Sequence, residues 1–342
     1  MTTGVRNARP PQPTLEMVAA EAGVSRATVS RVVNGSPKVR PEVVVSVTAA
    51  IERLNYVPNR AARSLASRQT QSVALVVPED MTKFFGDPYF AAVVQGITQR
   101  LDESDYTLNL LVASSDPRHK TMRYLRAGNV DGALVISHHT GDNFVADLES
   151  TMPVVFGGRP TNDSGANNYF VDVDNIAGSM SGVQHLVDIG RRRIGTITGP
   201  VDMPAGIDRL TGFRQVLESA GLPTDAVEHA DFTASGAAAA TRRLLERFPD
   251  VDAIFVASDL MATGALGVLA EQGRAVPGDI AVVAFDDSPA ATSGPIGMTT
   301  VSQPSKEMGF AMADLLLRLL ADDETVPHRN IMPTRLILRE SA

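Results

Sequence analysis

The sequence predicts an α/β protein with a small all-helical head and a two-lobed body, each lobe a doubly wound parallel sheet. Three observations carry that prediction. Residues 14–33 read as a helix-turn-helix. Beyond residue 72, short apolar runs alternate with longer amphipathic ones, and charge divides sharply between these two parts. At 342 residues the chain is too long for one hydrophobic core, so two or more domains are expected.

The head begins with Thr14–Val33. Val18, Ala19 and Ala22 form an apolar stripe after Leu15, and Val29, Val32 and Val33 form a second one at helical spacing. Gly23 stands between them, where a sharp turn needs a positive φ or no side chain, and Val24 follows to plug the angle. Thr14 and Ser25 occupy N-cap positions. The exposed face of the second helix (Arg26, Ala27, Ser30, Arg31) carries groups suited to DNA, against the plainer reading of an ordinary αα-hairpin. Asn34-Gly35-Ser36-Pro37 breaks this helix. Pro41 restarts a third, with Val44, Val47, Ile51 and Leu54 expected on its inner side. Pro58 stops that helix, and Asn59 caps barely two turns through Ser67. That segment reads either as a linker or as a helix carrying Arg60 and Arg63 that folds on DNA, with Leu65 as a minor-groove wedge.

Residues 1–72 hold ten Lys and Arg against four Asp and Glu, a net +6, which leaves −14 for the remainder of a chain of net charge −8. A basic head on an acidic body is expected when only one end touches phosphates. The first thirteen residues are rich in Pro and Arg, have no apolar h-region, and read as a disordered arm rather than a secretory signal. No run of about 18 apolar residues predicts a transmembrane helix. The absence of cysteine rules out disulfides and thiolate zinc sites and fits a reducing cytoplasm.

In the body, strands are expected at Val73–Val77, Thr107–Ala113, Gly132–Ile136, Pro153–Phe156, Tyr169–Val173, Arg193–Thr198, Glu228–Asp231, Ala253–Ala257 and Ile280–Phe285. Helix-like runs between them include Tyr89–Glu103, Ala177–Ile189, Asp208–Ala220, Gly236–Arg247 and Leu260–Gln272. Nine strands exceed one comfortable sheet, hence two lobes, with a small-molecule site at the carboxyl ends of the strands. No G-x-S-x-G elbow, Walker A loop, G-x-G-x-x-G after a strand or H-E-x-x-H occurs, and no carboxylate or histidine spacing argues acid–base chemistry. No enzyme and no cofactor are therefore expected. His138-His139 and Asp172-Val173-Asp174 are set aside as metal ligands.

The stretches TLEMVAAEAGVSRATVSRVVNG and LNYVPNRAARSLA closely resemble the head and hinge of the LacI/GalR transcription-factor family. The resemblance continues through DNIAG…HLVDIGRRRIGTITGP, DRLTGF, FVASDLMATGAL, VPGDIAVVAFDD and TTVSQP…MG, and so covers residues 14–340. It implies a dimeric, cytoplasmic repressor, nucleoid-associated when bound to its operator, whose body has the periplasmic-binding-protein fold with three crossovers between lobes. The implied divisions are an arm (1–13), a helix-turn-helix domain (14–58), a hinge helix and linker (59–71) and an effector-binding and dimerisation domain (72–342). Lobe 1 takes about 72–172 and 304–330, and lobe 2 about 173–303 and 331–342.

Residue roles follow from the same resemblance. Arg26, Ala27 and Arg31 match positions at base edges, where a guanidinium can bond guanine O6 and N7 together. Thr14, Ser25, Thr28, Ser30 and Asn34 look like phosphate ligands, with local capping as the alternative for each hydroxyl. Asn59, Arg60 and Arg63 belong to the hinge, and Leu65 matches its intercalating leucine. Two-fold symmetry then predicts a palindromic operator with a pyrimidine–purine centre. For the effector, Arg209 and Asp286 match ligand-binding positions, and Phe232 matches an aromatic over the ligand face or is plain core. Asp87, Tyr89, Phe90, Ser137, His138, His139, Arg159, Asp259 and Gln303 complete the expected pocket, whose chemistry suits neutral polyols.

FGDPYF, SHH, GGRP, GPVDMPAG and DFTASG look like actinobacterial regulators of disaccharide uptake, including cellobiose sensors. Maltose-type and other gluco-oligosaccharides are close competitors. The expectation is a repressor released by a disaccharide. The alternatives are a sugar-binding protein without a DNA role and a family member that uses a corepressor. A chain ending just beyond a strand-like segment, without leucine heptads, predicts a dimer rather than a tetramer.

Overall fold

In the computed structural model, residues 13–33, 35–57, 69–112, 119–140, 148, 150–160 and 168–342 are described. Asn34 and the hinge positions Asn59, Arg60, Arg63 and Leu65 lie outside them. The chain forms two compact units, residues 1–70 and 71–342.

In the head, α1 (Leu15–Ala22), α2 (Arg26–Val33) and α3 (Pro41–Leu54) enclose a small core of Val18, Ala19, Val29, Val47, Ala50 and Tyr56. Gly23 takes φ +67° and ends α1, a left-handed conformation that glycine adopts without a Cβ clash. Val24 packs into the same core. Thr14 caps α1, accepting from the Met17 N–H at 3.4 Å, and Ser25 accepts from the Thr28 N–H at 3.2 Å. Pro41 opens α3 as expected. One expectation fails there: Val44 is exposed, and Val43 packs inward in its place. The core stripe is 43, 47, 50, 51 and 54, and Val44 falls just outside its edge, about 70° from its centre at 100° per residue.

In the body, the first sheet is built from β1 (Ser72–Val77), β2 (Thr107–Val112), β3 (Gly132–Ile136), β4 (Val154–Gly157), β5 (Tyr169–Val173) and β11 (Arg329–Met332). The second uses β6 (Ile194–Thr198), β7 (Val227–His229), β8 (Ala253–Val256), β9 (Ala281–Asp286), β10 (Thr299–Ser302) and β12 (Arg335–Ile337). The two sheets repeat one strand order, β2-β1-β3-β4-β5-β11 and β7-β6-β8-β9-β10-β12. Apolar clusters cover both faces of each, which is why the central strands read as unbroken hydrophobic runs.

The sheets are parallel except at β12, which runs antiparallel to β10. Both sheets are thus predominantly parallel, as expected, and the antiparallel edge has a topological cause. Strands of both sheets point their carboxyl ends at the space between the lobes. A chain leaving the first sheet through β11 therefore enters the second from its carboxyl edge. The other crossings lie at Asp174, after β5, and at Gln303-Pro304, after β10. The Asp174 N–H donates to the Met332 carbonyl at 3.0 Å, tying two crossings together. Ile331 and Met332 belong to β11, so the first lobe extends slightly beyond the expected residue 330.

Helices fill the outer faces. α4 (Met81–Gly86), α5 (Pro88–Leu101), α6 (Lys120–Arg126) and α12 (Ser305–Leu320) serve the first lobe. The second lobe takes α7 (Asn175–Asp188), α8 (Pro204–Ser219), α9 (Ala234–Arg247), α10 (Asp259–Glu271) and the short α11 (Ala290–Ser293). α5 and α12 approach backbone to backbone: a Cβ on Gly96 would stand 1.8 Å from the Lys306 carbonyl oxygen, and one on Gly309 2.1 Å from that of Val93.

Candidate functional site

The strand order reverses beside β1 in the first sheet and beside β6 in the second, and the carboxyl ends at such switch points are where open α/β sheets leave a crevice. Here the two crevices face each other and enclose a cavity of about 720 Å³ including its mouth, within the range of small-molecule sites. From the first lobe it is lined by Lys83, Asp87, Tyr89, Phe90, Ser137, His138, Gly157, Gly158, Asp172 and Met308. From the second come Asn175, Met203, Pro204, Ala205, Arg209, Phe232, Ser258, Asp286 and Gln303.

Arg209, on α8, organises the second-lobe wall. It is 4% exposed. Its Nε donates to Asn175 Oδ1 at 2.9 Å, and Nη2 donates to Gln303 Oε1 at 3.1 Å. Nη1 donates to the Ala257 carbonyl and lies 3.4 Å from Asp286 Oδ1. The guanidinium stands 3.6 Å over the Phe285 ring. Gln303 Nε2 closes the loop by donating to Asp286 Oδ1 at 2.9 Å. Burial pushes the Asp286 carboxyl well above the ordinary range, and Arg209 only partly offsets this.

The first-lobe wall is built on Asp172, at the end of β5. Its Oδ2 accepts from the Arg159 N–H at 2.9 Å, and Oδ1 accepts from the Val173 N–H at 2.8 Å and from Asn175 Nδ2 at 3.1 Å. Burial raises its pKa too. Asp87 caps α5, accepting from the Tyr89 N–H at 2.9 Å, and is likewise raised by burial. Lys83 is engaged by Glu79 at 2.7 Å, so its charge is largely cancelled.

Phe232 both packs in the second-lobe core and lines the cavity. Its ring lies over Gly199, where a Cβ would sit 2.2 Å from the ring carbon Cζ. Ser137, Phe232 and Asp286 all adopt positive φ without being glycine (+57°, +63° and +117°). Strained backbone thus borders the cavity from both sides, Ser137 on the first-lobe wall and Phe232 and Asp286 on the second. Carboxylates, amides and hydroxyls interleaved with Tyr89, Phe90, Phe232 and Met203 suit a neutral polyhydroxylated molecule with apolar ring faces.

Of the expected effector residues, Asp87, Tyr89, Phe90, Ser137, His138, Arg209, Phe232, Asp286 and Gln303 line this cavity, and His139, Arg159 and Asp259 do not. His139 and Arg159 turn to partners on the opposite lobe, at 3.0 Å (Asp202) and 2.7 Å (Asp208). Asp259 is fully buried, accepting from Thr300 Oγ1 at 2.6 Å and from the Ser288 N–H at 2.7 Å, and so braces the loop after Asp286. Sequence reasoning missed Lys83, Gly157, Gly158, Asp172, Asn175, Met203, Pro204, Ala205, Ser258 and Met308, although GGRP, GPVDMPAG and FVASD, singled out as motifs, contain six of them.

In the head, Thr14, Ser25, Arg26, Ala27 and Arg31 are exposed, while Thr28 and Ser30 are half-buried. Ser25 and Thr28 hydroxyls lie 2.9 Å apart, so both serve the cap that starts α2. Arg26 Nε meets Glu16 Oε1 at 3.1 Å, and both side chains are largely exposed.

Residues 14–59 match the family model "Bacterial regulatory proteins, lacI family", and residues 183–342 match "Periplasmic binding protein-like domain". The chain is 46% identical over 334 residues to the HTH-type transcriptional regulator CelR of Thermobifida fusca, covering 96% of this chain and 98% of that one. Among solved structures it resembles a transcriptional regulator CelR–cellobiose complex, at 44% identity and a TM-score of 0.77, covering 96% and 100% of the two chains. It also resembles the lac repressor dimer bound to operator and the anti-inducer ONPF, at 26% identity and a TM-score of 0.85, covering 97% and 99%.

Proposed function

The chain belongs to the LacI family of bacterial regulatory proteins, and from that premise we propose that it represses sugar-utilisation genes until a disaccharide, cellobiose foremost, fills its cavity. The observation that carries this reading is the union in one chain of an outward Arg26–Arg31 helix face with a cavity built around Arg209, Asp286, Gln303 and Phe232.

Each part has a physical role. Arg26 and Arg31 read guanine edges in the major groove, Ala27 offers an apolar contact, and the hydroxyls of Thr14, Ser25, Thr28 and Ser30 fix register on phosphates. The protein acts in the cytoplasm as a homodimer on a palindromic operator, joining the nucleoid when bound there. In the cavity, Arg209 and Gln303 donate to sugar hydroxyls, Asp286 and Asp87 meet others, and Phe232 covers a pyranose face. Release requires that the sugar prefer one arrangement of the lobes, since a ligand shifts an equilibrium only by its differential affinity.

The test is a gel shift with the promoter beside the protein's own gene, titrated with a panel of sugars. Cellobiose is expected to release the DNA at the lowest concentration. Release by a maltose-type sugar alone would reassign the effector, and tighter DNA binding with sugar would mark a corepressor. No response to any disaccharide would overturn the induction reading.

A further inference from the structure

Beside the cavity, the two lobes of the body touch at two charged points. His139, just beyond β3, places Nδ1 3.0 Å from Asp202 Oδ2 and Nε2 3.3 Å from Glu79 Oε1. Glu79, in the loop after β1, shares the first lobe with His139. Asp202, after β6, belongs to the second. The Thr140 N–H also donates to the Asp202 carbonyl, at 2.9 Å. At the second point Arg159 Nη2 donates to Asp208 Oδ1 at 2.7 Å. None of His139, Arg159, Asp202 and Asp208 lines the cavity.

We propose that His139 and Asp202 form a proton-sensitive latch that positions the lobes for effector binding, with Arg159–Asp208 as its proton-independent counterpart. The inference rests on reading the cavity as the effector site. Its ground is valence: both ring nitrogens of His139 face carboxylate oxygens, and only the imidazolium has an N–H for each. A neutral ring would turn a lone pair toward one of them.

The surroundings point the same way. Glu79 is itself held by Ser137 Oγ at 2.7 Å and Lys83 Nζ at 2.7 Å. Glu79 stays with His139 in the first lobe however the lobes move, which leaves the second-lobe Asp202 as the partner that changes when they separate. His138, next in the chain, is kept neutral by burial and adds no competing charge. Hydrogen bonds to Glu79 and Asp202 raise the pKa of His139.

Separating the lobes removes Asp202 and leaves Glu79, so the closed state holds the His139 proton more tightly than the open one. Closing therefore takes up protons between the open-state and closed-state pKa values. The latch is complete below that window and is lost as pH rises through the closed-state value. Asp202 is half-exposed, 52% by its side chain, so the effect belongs with partly screened ion pairs: about two- to fivefold in Kd.

The experiment uses the full chain with cellobiose as probe. Calorimetry from about pH 5.5 to 8.5, in two buffers of different ionisation enthalpy, reads affinity and proton uptake together. In parallel, the imidazole NMR signal of His139 in the ligand-free protein, assigned with H139Q, reports its pKa directly. The wild type is expected to bind more weakly at the alkaline end and to take up a fraction of a proton. D202N should flatten that slope and lower the His139 pKa. D208N should weaken binding about equally at every pH. A wild-type slope retained in D202N, or a His139 titration unmoved by it, overturns the latch. If cellobiose fails to bind at any pH, the effector reading falls instead. The His139 titration then decides the latch alone.

Discussion

Arg209 is the residue on which the cavity wall depends most. It satisfies Asn175, Gln303 and the Ala257 carbonyl at once and stands beside the buried Asp286. Arg209→Met keeps much of the volume and removes every one of those donors. We expect cellobiose affinity to fall more than 100-fold by calorimetry and urea unfolding to lose about 3 kcal/mol, the lower end for breaking a buried pair, because Asp286 can take a proton. His138 supplies the pH-dependent case. Its Nε2 faces the Arg159 carbonyl at 3.1 Å and so donates, Nδ1 is buried with no partner among the described residues, and burial lowers its pKa from 6.5 to about 4. Between those values the unfolded chain binds more protons than the folded one, so this group's stabilisation is present above pH 6.5 and drains as pH falls to 4, about 3 kcal/mol in all. H138Q retains a donor for Arg159 and does not titrate. Urea unfolding near pH 7 and pH 4.5 should show the variant losing less stability on acidification than the wild type. At this scale the sequence was readable where a family motif carries the residue across, as for Arg209, Asp286 and Gln303, which line the cavity. It was not where direction depends on a distant partner: His139 and Arg159 look like cavity residues until Asp202 and Asp208, 63 and 49 positions away, pull them across to the other lobe. Ser258 and Asn175 escaped notice for another reason, since a cap and a first-turn polar residue have sufficient local explanation.

Strands became legible where their own residues form an apolar run, whether buried or, like β2, partly exposed. Gly132–Ile136 and Tyr169–Val173 match β3 and β5 residue for residue, because a strand covered on both faces leaves no polar position to blur it. β10 and β11 were absent from the expected strands, and β12 was read only as a strand-like segment before Leu338. Thr299–Ser302 is polar in composition, while β11 and β12 are short edge strands with alternating exposure. The third helix of the head shows the same limit from the other side: with valine at 43, 44, 45 and 47, composition alone cannot say which face turns inward. What composition also hides is approach distance. The pairing of α5 with α12 requires glycine at both 96 and 309, since each stands where a side chain would enter the other helix's backbone. Gly309→Ala puts a methyl 2.1 Å from the Val93 carbonyl oxygen, which neither helix can accommodate by a rotamer change. Overpacking of this kind costs about 1–3 kcal/mol, and urea unfolding should show it, whereas Gly267→Ala, with nothing within 4 Å of the added carbon, should be neutral or mildly stabilising.

On the scale of the whole molecule, charge and core divide the chain in the same place. The head carries its own core around Val18, Val29 and Val47, and the body has separate clusters on both faces of each sheet. The net +6 lies within residues 1–72 and the −14 beyond them. A body so acidic repels a phosphate backbone, so DNA affinity must reside in the first unit and sugar affinity in the second. That separation makes a clean prediction about a protein lacking residues 1–70. Its cavity residues begin at Lys83 and its four clusters are intact, so it should bind cellobiose with the affinity of the full chain. At 100-fold sugar excess over Kd, ligand linkage should stabilise it by about 2.7 kcal/mol, visible as a raised unfolding temperature. It should bind operator DNA no better than background at any salt concentration. The full chain should bind with an affinity that falls steeply as salt rises, because each phosphate neutralised releases counterions. Operator binding by the truncated protein would place the DNA contact in the body and overturn this division of labour. Loss of sugar binding on truncation would instead show that the head's arrangement feeds back on the cavity. In a coupled system that feedback is reciprocal: whatever DNA does to sugar affinity, sugar does to DNA affinity by the same factor.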